Sequence, residues 1–168
     1  MKDFYNNAMK YGTYLGIFWA VMYILLFKFP GSGLLSMLAM AMLFTSPFLA
    51  FRFAKDFREK ECEDNIGYAQ AWLFLTCMYI CATFFSTMTN YIFFNIIDQG
   101  AILTELNNML SQITAVPNLE PETKVMFEEM QDIISRLTIN DFIWQLSGNN
   151  IFSSLTLPPI IALFVRRK

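Results

Sequence analysis

Residues 83–100 read TFFSTMTNYIFFNIIDQG, an apolar run in which a hydroxyl or an amide recurs every three or four positions. At about 100° per residue on a helix, Thr76, Tyr79, Thr83, Ser86, Thr87 and Asn90 fall within about 60° either side of Thr83. These six side chains form one polar face. The opposite side carries Phe74, Met78, Cys81, Phe85, Met88 and Ile92, a set that suits lipid. The polar face is either a hydrogen-bonded seam against neighbouring helices or, if several copies assemble around it, the wall of a path across the membrane. Few helices per chain leave little room for water, which favours the seam.

The run belongs to one of four apolar segments. Of the 168 residues, 55% are hydrophobic, 17% aromatic and 15% charged, against about 25% charged in ordinary soluble domains. Such a chain carries more apolar bulk than a soluble core of this size can hold. The spans read as residues 11–29, 34–53, 66–97 and 146–165. As a helix the third is about 48 Å long against a hydrocarbon core of about 30 Å, so its far end projects into water. The last apolar run begins only at Ile151, and it spans only if its helix starts upstream, near Phe142 to Leu146, or if the bilayer thins around it. Pro30, Gly31, Ser32 and Gly33 mark a tight turn between the first two spans. Pro47, Pro158 and Pro159 are expected kinks. The first apolar run exceeds the usual signal-peptide core of about 7 to 15 residues, which reads as a retained anchor.

Nine of the twelve basic residues gather on one side of this arrangement: Lys2, Lys10, Arg52, Lys55, Arg58, Lys60, Arg166, Arg167 and Lys168. Basic residues resist translocation, so both termini and the loop from Arg52 to Asp64 are expected in the cytoplasm. Residues 98–141 then lie outside. That segment holds eight acidic and two basic side chains, a net of −6. Leu103, Leu106, Leu110 and Ile113 make one apolar stripe at helical spacing, and Met126, Met130, Ile133 and Leu137 make another. Prolines 117 and 121 separate them. The pattern predicts an extracytoplasmic helical hairpin that buries its stripes against each other and the membrane surface. As a docking surface it would take a basic protein partner; its charge argues against nucleic acid and anionic lipid.

The residues available for chemistry are few. The chain has no histidine, which removes the commonest general base and a common zinc ligand. No acidic side chain lies inside the apolar segments, which weakens both an intramembrane carboxylate pair and ion-coupled transport. Glu59, Glu61, Glu63 and Asp64 match no calcium loop and read as a solvated charged loop. Cys77 and Cys81 read as small packing residues, and Cys62 falls in the reducing loop. No catalytic residue, metal site or cofactor is expected. Gly12 and Gly16, a G-x-x-x-G pair, let another helix approach closely, more simply within the chain than between chains.

The four spans, the stretch Asn65-Ile66-Gly67-Tyr68-Ala69-Gln70-Ala71-Trp72, the stretch Leu119-Glu120-Pro121-Glu122-Thr123 with Phe127-Glu128-Glu129-Met130, and the ending Val165-Arg166-Arg167-Lys168 together resemble a family of small four-span bacterial inner-membrane proteins of unknown function. The likeness covers almost the whole chain. Family members often open the third span with an Ile-Ser-Phe-like sequence where this chain has Ile66-Gly67-Tyr68, so Asp64 or Asn65 is expected to take the capping role. The resemblance implies an architecture and a bacterial cytoplasmic membrane, and no catalytic residues. The expected protein is all-α and polytopic, with Gly12, Gly16, Thr76, Thr83, Ser86, Thr87 and Asn90 as helix-packing residues. It reads as a non-catalytic interaction or accessory subunit. The alternative is a small transporter or channel subunit whose oligomer encloses the third span's polar face.

Overall fold

The computed structural model describes residues 2–28, 33–116 and 120–167. The expected turn at Pro30, Gly31 and Ser32 and the break at Pro117 lie outside them. The described elements are α1 (Lys2–Lys28), α2 (Gly33–Glu61), α3 (Tyr68–Ile92), which continues as a π-helical turn over Phe93–Ile97, α4 (Ala101–Thr114), α5 (Pro121–Arg136) and α6 (Ile139–Val165). Among the described residues four stretches are long and apolar enough to cross a membrane: Phe4–Phe27, Gly33–Glu61, Tyr68–Ile97 and Ile139–Val165. The chain divides into a first unit, residues 1–90 and 146–168, and a second unit, residues 91–145.

Two helices are longer than their apolar runs. Residues 52–61, expected as a loop, are the last turns of α2. Lys55 pairs with Glu59 at 3.6 Å and Lys60 with Asp56 at 2.8 Å, each one helical turn apart, and Arg58 and Lys60 complement the carboxyl end of the helix dipole. At the other correction, α6 starts at Ile139 because Thr138 and Asp141 form a reciprocal cap. The Asp141 amide donates to Thr138 Oγ1 at 3.2 Å, and the Thr138 amide donates to Asp141 Oδ2 at 3.1 Å. This T-x-x-D box fixes the start well before residue 146.

In the first unit α1 lies tight against α3. A Cβ on Gly12 would sit 2.6 Å from the Met78 carbonyl oxygen, and one on Gly16 would sit 2.8 Å from Phe85 Cβ. Backbone therefore meets backbone, which only glycine permits. This contact overturns part of the lipid face expected for α3. Phe74 and Met78 are fully buried, and Cys81 Sγ approaches the Met9 carbonyl at 3.6 Å. Phe74 instead stacks on Phe57 with ring centroids 4.0 Å apart. Phe85, Met88 and Ile92 remain exposed.

Of the expected solvated charges, Glu59, Glu61 and Glu63 are exposed, whereas Asp64 is tied into a network of ion pairs. Arg58 is buried; its Nη1 donates to the Val165 carbonyl at 2.8 Å, and its Nε meets Asp64 Oδ1 at 2.8 Å. Arg167 Nη1 takes the other Asp64 oxygen at 2.6 Å. Ile66 and Arg167 exchange two backbone hydrogen bonds at 3.2 and 3.1 Å. Glu63 and Asp64 adopt left-handed backbone, with φ of 49° and 62°. The Asp64 carboxylate thus serves a buried guanidinium, which needs a counter-charge more than a helix end needs a cap.

In the second unit α4 and α5 pack on each other, and Gln131 Nε2 donates to Ser111 Oγ at 2.8 Å. α4 buries Ile102 and Leu110. α5 buries no residue at all. Among the described residues nothing covers its stripe: Met126, Met130 and Ile133 stay exposed, Ile133 at 60%.

Candidate functional site

The polar face of α3 divides into three parts. Thr83 and Ser154 share a hydrogen bond at 2.9 Å, and Thr87 and Ser147 share one at 3.0 Å. These two pairs set an antiparallel register between α3 and α6. Thr76 turns back on its own helix and donates to the Trp72 carbonyl at 2.9 Å. Tyr79, Ser86 and Asn90 are buried, and the Tyr79 hydroxyl, the Ser86 hydroxyl and both polar atoms of the Asn90 amide have no hydrogen-bond partner among the described residues.

The α6 side of this arrangement is Ser147, Asn150 and Ser154, spaced at +3 and +4 on one helical face. That spacing is visible in the sequence, within the span 146–165, but Ser147 and Asn150 lie upstream of the apolar run from Ile151 and carry no signal of their own. The register brings Ser86 level with Asn150. Asn150 Oδ1 accepts from the Tyr23 hydroxyl at 2.7 Å, and Trp19 Nε1 donates to Ser46 Oγ at 2.7 Å. A polar layer therefore draws on all four long helices. Every side chain in it is uncharged.

Gly12 and Gly16 stand apart from this layer, at the α1–α3 contact. Pro47, Pro158 and Pro159 lie inside continuous helices. Pro47 borders a small cleft of about 60 Å³ between α1, α2 and α6, together with Trp19, Tyr23, Ser46 and Asn150. The second unit has a larger apolar groove of about 310 Å³. Its walls include Leu103, Leu106, Met130, Ile133, Leu137 and Phe142. Part of each stripe read from the sequence, Leu103 and Leu106 on one and Met130, Ile133 and Leu137 on the other, thus lines an open groove.

Among the described residues no three His, Cys, Asp or Glu side chains converge as a metal-binding group. Four apolar helices long enough to span and a buried layer of neutral polar groups define a multi-pass helical membrane protein. The chain belongs to the DUF4199 family, described as a protein of unknown function, whose family model matches residues 10–167. No curated protein and no solved structure matches the chain.

Proposed function

We propose that this protein is a non-catalytic docking or accessory subunit of a bacterial cytoplasmic membrane, with its second unit as the docking surface. One observation carries the reading: α5 presents an apolar stripe and buries none of it. Large apolar side chains left uncovered beside a groove mark an interaction surface. Residues 98–141 carry a net charge of −6, which favours a basic amphipathic helix as the partner. The distribution of Lys and Arg supports cytoplasmic termini and an outward second unit.

A photo-crosslinking residue at position 133, introduced into the full chain in native membranes, tests this reading. The expected result is one discrete protein adduct from position 133 that weakens at high salt and is lost with Met130→Asp. The same group at Lys124, on the opposite side of α5 by helical spacing, gives none. Lipid adducts alone from position 133, or equal labelling from both sites, would sink the proposal.

A second reading, a small transporter or channel subunit, draws support from the unpartnered polar atoms of Ser86 and Asn90. Polar groups held in a membrane interior often mark a substrate path. The paired hydroxyls of Thr83 and Thr87, on either side of Ser86, favour the seam.

A further inference from the structure

Asn150 is only 4% exposed, and its Oδ1 is taken by the Tyr23 hydroxyl. Its Nδ2, with two protons to donate, has no partner among the described residues. Asn150 lines the cleft of about 60 Å³ between α1, α2 and α6, where Ser46, Asn149 and Ser153 add further polar groups. Ser46 Oγ accepts from Trp19 Nε1, which leaves the serine proton free to be donated. Among the described residues no charged side chain lines the cleft. We propose that it is a binding site for a small, neutral hydrogen-bond acceptor, and that its occupant is water.

Three properties select that ligand. Asn150 Nδ2 and the Ser46 hydroxyl are free to donate, so the ligand must accept, while Ser153, whose proton goes to the Asn149 carbonyl at 3.0 Å, offers a lone pair in return. An ion would find no counter-charge, and burying an unpaired charge is far more costly than burying a neutral group. A water needs on the order of 10–15 Å³ of such space and two to four polar partners, and the cleft has room for it. Buried polar groups in proteins are nearly always satisfied by protein or ordered water, and the same rule applies with more force in lipid. The site lies beside the α3–α6 seam and is independent of docking by the second unit.

Trp19 lines the cleft and serves as a native reporter. Replacing the exposed Trp72 and Trp144 with Phe leaves it as the single indole. Its fluorescence lifetime in the reconstituted full chain is expected to lengthen in D2O, and its emission is expected to shift to shorter wavelength with Asn150→Leu. Ser153→Leu fills the cleft without touching the Asn150–Tyr23 bond and is expected to give the same blue shift, so the test survives if Asn150→Leu fails to fold. Acrylamide, neutral but larger than water, is expected not to quench. An isotope-insensitive emission that neither substitution moves would show a dry cleft and overturn the proposal. Strong quenching by acrylamide would overturn the limit to water-sized ligands.

Discussion

Arg58 Nη1 donates to the Val165 carbonyl at 2.8 Å, so a side chain from the last turn of α2 holds the end of α6. The same guanidinium meets Asp64, and Asp64 meets Arg167. Arg58→Ala is expected to lower stability in detergent by about 2–3 kcal/mol, because a buried donor to a carbonyl and a carboxylate is lost. Asp64 is 44% exposed, so water takes over part of its role and Asp64→Asn should cost roughly 1 kcal/mol. Thermal unfolding of both variants checks the order. Equal losses would mean that the Val165 contact contributes nothing.

Gly16→Ala is expected to cost about 1–3 kcal/mol, since a Cβ there meets the Ala82 carbonyl oxygen at 2.9 Å as well as Phe85, and backbone cannot yield as a side-chain end can. A Cβ on Gly148 would meet nothing within 4 Å among the described residues outside its own helical turns. Gly148→Ala should therefore stabilise α6 by up to about 1 kcal/mol through helix propensity. Paired melting curves give both signs in one experiment; destabilisation at both positions would refute the assignment of close packing to Gly16.

The Thr83–Ser154 pair should show a coupling of about 0.6 kcal/mol, and no more than about 1.7, in a double-mutant cycle with alanine at each position. Thr76→Ala should be nearly neutral, as its hydroxyl bonds only its own helix. Zero coupling between positions 83 and 154 would remove the seam.

Burial, and then the charge of Glu61, push the Cys62 thiol above its ordinary pKa. The thiolate is the reactive form, so a raised pKa means slow alkylation at neutral pH and a rate that climbs as pH rises. Glu61→Gln should lower the pKa and speed labelling at a given pH. In a chain with Cys77→Ala and Cys81→Ala, an impermeant reagent should reach Cys62 only after cells are permeabilised. Labelling of intact cells would invert the proposed orientation.

The four long helices were legible because apolar length is a property of the local sequence. The polar face of α3 was legible for the same reason, as it needs only a period. What covers each face depends on which helix arrives there. Phe74 and Met78 look like lipid-facing residues until α1, through Gly12 and Gly16, fits against them. Likewise Arg58 and Asp64 read as surface charges because their partners, Val165 and Arg167, lie about a hundred residues away. Thr138 and Asp141 were a local signal that went unread: the T-x-x-D box sets the start of α6 upstream of its apolar run.

If α3 is sealed by α6 along Thr83 and Thr87, the path reading fails and the exposed stripe of α5 stands as the functional surface. Cysteines at positions 87 and 147, in a chain whose three native cysteines are replaced by alanine, test this most directly. The native hydroxyls are 3.0 Å apart, so mild oxidation in native membranes should join the two introduced thiols within one chain. Thr87→Cys alone should then resist a charged, water-soluble thiol reagent, because dry packing surrounds it. Failure to crosslink, together with rapid modification at position 87 by the charged reagent, would contradict the seam and favour a water-filled path along α3.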